Sequence, residues 1–266
     1  RYSRALEMLG STVGEDHPEC AVSLNGLHVV AAGRGRFEDA ERDCLRALAV
    51  NREALGSTHP LTGESLRSLG SLRNRMGDVA GAERALREAI EIFVGSVGPT
   101  HPMTGRAFNS LAILVRDAGR YAEARGLFEQ ALRAFESSGD ATDPRVAGVL
   151  NNLASAHREL GDFDEAEACL RRSLATRELR YGPDHPAVAQ SLSNLAAVLV
   201  EAERQDEAIP LLERSCSIKE AAYGRESYEF AVGLANLGRA CRGTGDLDRA
   251  ESASTEVVRT FETILG

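Results

Sequence analysis

The sequence contains no tryptophan, and aromatic residues fill only 5% of its 266 positions. That scarcity removes the platforms on which single-stranded nucleic acids are stacked. Lysine is nearly missing as well: Lys219 stands alone, and the other 30 of the 31 basic residues are arginine. Set against 40 acidic residues they leave a formal net charge of −9. A bulk binder of nucleic acid or anionic membrane carries the opposite sign. No apolar run approaches the ~18–20 residues that a membrane-spanning helix needs, and nothing resembles a signal peptide. No CxxC pair occurs, and Cys20, Cys44, Cys169, Cys216 and Cys241 are widely spaced and odd in number. This argues against a disulfide framework or structural zinc site and fits reduced thiols in a cytoplasmic protein.

Motifs of catalysis are missing too. There is no G-x-x-x-x-G-K-[ST], no H-E-x-x-H and no G-x-S-x-G. Gly33-Arg34-Gly35 is too short for a dinucleotide loop and has no strand before it. The expectation is a chain that is not an enzyme and holds no cofactor or metal. It starts at Arg1 rather than a methionine, as a piece excised from something longer would. Heavy arginine use suggests a GC-rich, bacterial genome.

What is present is repetition. Pro18, Pro60, Pro102, Pro144 and Pro186 are spaced by 42 residues, with Tyr228 in the sixth slot. His17, His59, His101 and His185 precede four of the prolines, and Asp143 and Ser227 take the other two places. Gly14, Gly56, Gly98, Gly182 and Gly224 share a column. Leu27, Leu69, Leu111, Leu153, Leu195 and Leu237 form an unbroken one, as do Ala40, Ala82, Ala124, Ala166, Ala208 and Ala250. The register gives a truncated helix at 1–13 and six repeats: 14–55, 56–97, 98–139, 140–181, 182–223 and 224–266.

Each period reads as two antiparallel helices. Leu24 and Leu27 mark the apolar face of the first at helical spacing. Ala40, Cys44, Ala47 and Leu48 give the second an i, i+4, i+7, i+8 stripe. Between them Gly35, Gly77, Gly119, Gly161 and Gly245 can close a helix in the left-handed region. Glu203 replaces the glycine in the fifth repeat. Pro210 lies shortly after and is harmless only if its helix starts near Asp206, which keeps the proline in the first turn. The spacing Leu–small–Ala–small resembles the tetratricopeptide signature. The 42-residue length, the G-x-x-H-P joint and Asn151-Asn152-Leu153-Ala154 resemble the kinesin-light-chain type. The resemblance implies an all-α, right-handed superhelical solenoid of helix pairs that recognises other proteins.

The histidine column invites a metal reading, but equivalent positions in stacked helices lie about 8–10 Å apart. Zinc needs each nitrogen near 2.0–2.1 Å, so successive repeats cannot share an ion. A helix-start joint is the stronger reading, with Asp16, Thr58, Thr100, Thr142 and Asp184 as caps and the proline in the opening turn. Ser137-Ser138-Gly139-Asp140 breaks the joint before the fourth repeat, which predicts greater mobility there.

The resemblance further implies that the first helices line a concave groove. Two positions before the column leucine stand Asn25, Arg67, Asn109, Asn151 and Ser193, and five after it Asn74, Arg116 and Arg158. Glu64, Arg106 and Gln190 stand five before it, and Arg75, Asp117, Glu159 and Glu201 six after. Arg67, Arg106, Arg116 and Arg158 beside Asn74, Asn109 and Asn151 would suit an acidic, extended peptide. Guanidinium forks take carboxylates, and amides take a peptide's N–H and C=O. A competing reading pairs Arg116 and Arg158 with Asp117, Glu159 or Glu201 as a solvated lattice, worth only ~0–1 kcal/mol per exposed pair. The expected partner is a protein or acidic peptide, not nucleic acid or membrane. Another domain of the same chain is a further candidate, were the array the sensor or autoinhibitory arm of a signalling protein.

Overall fold

The computed structural model describes residues 17–265, so the helix expected near the amino terminus lies outside them. Among the described residues the regular structure is entirely helical, in tandem pairs. The chain divides into two compact units between Ser138 and Gly139, at the joint where the sequence leaves its pattern. The first unit holds α1 (Pro18–Gly33), α2 (Phe37–Leu55), α3 (Pro60–Met76), α4 (Val79–Ser96), α5 (Pro102–Asp117) and α6 (Tyr121–Glu136). The second holds α7 (Pro144–Leu160), α8 (Phe163–Tyr181), α9 (Pro186–Glu201), α10 (Gln205–Tyr223), α11 (Tyr228–Thr244) and α12 (Leu247–Leu265). Odd-numbered helices are the first of each pair. Within a unit, each helix packs on the next, and successive first helices also touch.

The first helices start one residue later than Thr58, Thr100, Thr142 and Asp184 suggest. The cap is the residue just before the proline. Proline confines its predecessor to extended backbone, which is the N-cap conformation. His59, His101 and His185 hold ψ between 141° and 143° and accept a backbone N–H on the imidazole. Asp143 does the same with a carboxylate, taking the N–H of Arg145 at 2.8 Å. The histidine column is therefore a capping column. Asp16 lies outside the described residues, and its neighbour His17 caps α1 through the N–H of Glu19 at 3.3 Å.

The turn glycines behave as expected. Gly77, Gly161 and Gly245 have φ of 84°, 84° and 82°, and the residue after each donates its N–H to the carbonyl five positions back. Glu203 is forced into the same region at φ 61°. Pro210 departs from expectation, because α10 already begins at Gln205 and the proline is its sixth residue rather than part of a first turn. The missing N–H leaves the Asp206 carbonyl without its helical donor. Asp206 and Pro210 are both exposed, so water can fill that place.

Packing between paired helices uses the small columns. Phe93 is fully buried, and a Cβ at Gly63 would lie 3.0 Å from its ring. Gly70 lets Leu86 come closer still, with 2.7 Å between a would-be Cβ and the Leu86 Cγ. The apolar core of the first unit gathers Leu66, Leu69, Leu72, Ile92 and Phe93, and that of the second Leu170, Leu195, Leu199 and Leu212.

Ion pairs stitch successive repeats together on the second helices. Arg120 bridges Glu83 and Glu123, and Arg204 bridges Glu167 and Glu207. The residue after the turn alternates: Arg36, Asp78, Arg120, Asp162, Arg204, Asp246. The arginines at 120 and 204 reach back to the preceding repeat, whereas Asp78 and Asp162 turn to Arg73 and His157 of their own first helix.

Candidate functional site

Regular placement of the first helices brings several of the expected residues onto one face in the first unit. Arg67 and Asn74 come from α3, and Arg106, Asn109 and Arg116 from α5. Arg67 grips Glu64 through two bonds, Nη2 to Oε1 at 2.6 Å and Nε to Oε2 at 3.1 Å. The Arg106 Nη2 approaches the same carboxylate at 3.6 Å. Two guanidiniums thus share one acid, and Arg106 remains 45% exposed. Arg116 lies on Asp117, with Nη2 to Oδ1 at 2.8 Å. Asn74 and Asn109 are half-buried, and the buried Oδ1 of Asn109 accepts no hydrogen bond. Beside Arg67 a groove of about 420 Å³ opens between α1 and α3, floored by Ala32 and Leu72 and edged by Glu64, Arg67 and Arg75. Arg75 is fixed at its rim by a bond to the Ala32 carbonyl at 3.0 Å and by stacking over the Phe37 ring at 5.5 Å.

Asn151 and Arg158 both lie on α7 and belong to the second unit. Arg158 donates to Glu159 at 2.7 Å and comes within 3.5 Å of Glu201 on α9. Asn151 is one end of an amide chain. Its Oδ1 accepts from Asn194 Nδ2 at 2.5 Å, and the Asn194 Oδ1 accepts from Gln190 Nε2 at 3.0 Å.

Asn194 escapes the sequence pattern, because it stands one residue before the column leucine rather than two. Ser193, which holds the expected position, is buried and bonded to Ser215 at 2.8 Å. A run of Asn152 and Asn194 one column over was the available signal. Arginine–acid pairing is therefore real at all four arginines of the expected patch. It neutralises the patch unevenly, leaving more guanidinium than carboxylate where Arg67 and Arg106 meet Glu64.

Other chemistry is sparse. Among the described residues no three His, Cys, Asp or Glu side chains are grouped to hold a metal ion. Burial pushes the Cys44 thiol up to about 12 and that of Cys216 up to about 11, which keeps both protonated. Among the described residues no helix is long and apolar enough to cross a membrane.

Tetratricopeptide-repeat profiles match residues 21–94, 69–137 and 145–221, and related profiles match 109–178 and 231–253. No curated protein matches the sequence. Among solved structures, BtubC (BKLC) from P. vanneervenii superposes with a TM-score of 0.75 at 24% identity, over 86% of this chain and 92% of that one. A putative kinesin light chain of Podosopora anserina with nearly identical TPR-like repeats gives 0.69 at 23%, over 78% and 98%. PilF of Pseudomonas aeruginosa gives 0.65 at 18%, over 92% and 93%. At these identities the likeness concerns the fold.

Proposed function

The chain belongs to the tetratricopeptide-repeat family, and from that premise we propose that it is a non-catalytic recognition module whose first helices bind an extended, acidic segment of a partner protein. The fold is one commonly used for protein–protein interaction. The observation that carries the finer reading is the sharing of Glu64 by Arg67 and Arg106. One carboxylate cannot saturate two guanidiniums, so donors are left to meet an incoming acid. Asn109 lies on α5 three residues after Arg106, and its buried Oδ1 has no donor. Asn74 and Arg116 extend this face in the first unit, and Asn151 and Arg158 offer a similar pairing of amide and guanidinium in the second. Cytoplasmic location, a bacterial source and the six 42-residue boundaries belong to the same proposal.

The test is affinity capture from host lysate with the native chain and with a charge-reversed form carrying Arg67→Glu, Arg106→Glu and Arg116→Glu. A partner kept by the first and lost by the second supports recognition on this face. Equal retention by both forms moves the interface elsewhere and leaves the arginines as solvated surface.

A further inference from the structure

Successive second helices are stitched by charge at a fixed pair of positions. Arg87 of α4 reaches Glu123 of α6 at 2.8 Å, and Glu213 of α10 meets Arg249 of α12 with the signs exchanged. The same pair of positions between α2 and α4 holds Leu45 and Gly81. Neither residue fits its column. The first column reads Leu45, Arg87, Glu129, Arg171, Glu213 and Thr255, and Leu45 is its only apolar member. The second reads Asp39, Gly81, Glu123, Glu165, Glu207 and Arg249, and Gly81 is its only uncharged one. Both departures fall on one stitch, which becomes a leucine on one helix and a residue without a side chain on the next.

A groove of about 350 Å³ opens at this place. Leu48, Leu66, Leu69 and Ala85 floor it, all of them buried, and Leu45 stands at its edge, 44% exposed. An isolated exposed leucine is ordinary on a protein surface. A leucine beside a hollow with an apolar floor is a place where another apolar side chain can be received. The rim carries Arg52, Arg73 and Arg84 against the single acid Glu88. Arg52 is bonded to Glu88, and Arg73 to Glu41 at 2.9 Å. Arg84 is exposed, and among the described residues no acid pairs with it. The counterpart in the second unit differs in that respect. That groove, about 330 Å³ around Leu234, Leu237 and Ala253, is bordered by Arg225 and Arg249, which are tied to Glu220 and Glu213.

We propose that the groove between α2 and α4 is a second docking site, which takes a leucine-like side chain of a partner protein flanked by carboxylates. The apolar side chain lies on the floor beside Leu45, and a carboxylate meets Arg84, the one rim guanidinium with no acid of its own. The site shares no residue with the Arg67, Glu64 and Arg106 cluster, so it adds a contact to the first-helix reading and does not depend on it.

The test follows, by fluorescence anisotropy with the whole chain, two dye-labelled acidic heptapeptides that carry either a leucine or a serine at the centre of a run of glutamates. The ratio of the two affinities reads the apolar contact alone, because both peptides carry the same charge. The expected ratio is at least roughly tenfold for the native chain, and it falls to about one in Leu45→Arg. Arg84→Glu should weaken both peptides severalfold. Both variants alter exposed side chains and should melt at the native temperature. The Arg67→Glu, Arg106→Glu form should keep the ratio. A ratio near one in the native chain overturns the docking site, as does a leucine probe that binds no form of the chain. A ratio kept in Leu45→Arg and lost in the Arg67→Glu, Arg106→Glu form overturns it too, and places the leucine with the first helices. Sedimentation gives the remaining outcome. If the native chain associates with itself and Leu45→Arg does not, the occupant is a second copy, whose exposed Leu247 stands between Asp246 and Asp248, and the partner-protein assignment falls.

Discussion

The imidazole Nδ1 of His59 accepts the backbone N–H of Leu61 at 3.2 Å, closing the first turn of α3. A ring that accepts on Nδ1 carries its proton on Nε2. The fourth repeat does the same task with Asp143 at a shorter distance, so the chain contains its own replacement experiment. His59→Ala should cost about 1 kcal/mol in chemical denaturation, the usual loss for a deleted N-cap. His59→Asp should restore it, with a further small gain from a negative charge at a helix start. Equal losses for Ala and Asp would show that the proline alone sets the helix start.

Glu203 offers a gain of stability. Left-handed backbone costs a residue with a side chain roughly 1–2 kcal/mol, and glycine loses some of that advantage through its freer unfolded chain. Glu203→Gly should therefore stabilise by about 0.5–1 kcal/mol, and Gly161→Ala should destabilise by about 1 kcal/mol. Thermal melting of both variants reads the two signs. A destabilised Glu203→Gly would refute the strain argument.

Acid should loosen the first unit through Glu83. Hydrogen bonds from Arg120 and Arg87 hold its carboxyl down to about 2 from an ordinary 4.5. The unfolded chain then takes up the proton first, so this stability is fully present above about pH 5 and is lost as pH falls toward 2. The side chain is 22% exposed, which limits the effect, after screening, to the order of 1 kcal/mol. Denaturation of Glu83→Gln from pH 7 to pH 3 should show a shallower slope than the native chain.

Gly70 tests the packing of α3 on α4. A methyl there would meet Leu86 Cγ at 2.7 Å and the Ala82 carbonyl at 3.1 Å. The leucine can turn and the carbonyl cannot, so Gly70→Ala should cost about 1–3 kcal/mol despite its better helix propensity. The same change at Gly95, where nothing lies within 4 Å, should stabilise slightly.

The joint at Ser138–Thr142 should exchange its amide hydrogens faster than the joint at Val97–His101. The Thr142 N–H is held by the exposed Asp140 side chain at 2.9 Å rather than by a backbone carbonyl. Equal protection at the two joints would count against added mobility there.

Much of this fold is legible in the sequence because the information is redundant: the leucine and alanine columns state the helix pair six times over. The turns are legible because φ near 80° admits few residues besides glycine. Cap position is not, since threonine or aspartate before histidine is the better cap by preference, and only the restriction imposed by Pro60 or Pro186 moves it one residue on. Pro210 misleads for a related reason: whether a proline harms a helix depends on which way its turn faces. At the site, Arg67 was visible in one column of the first helices and Arg106 and Glu64 in another, but the sharing of Glu64 by the two arginines was not. That depends on how far α3 and α5 are offset, which spacing leaves undetermined.

The alternation of Arg36, Asp78, Arg120, Asp162, Arg204 and Asp246 bears on how such an array can be shortened or lengthened. Removing one period brings two arginines, or two aspartates, into succession, and leaves a backward-reaching guanidinium facing a repeat built for the other sign of turn. Removing two periods preserves the sign of charge at every neighbouring turn. For this seam of charge the repeating brick is thus 84 residues rather than 42, and internal deletions of an even number of periods should disturb it less than those of an odd number.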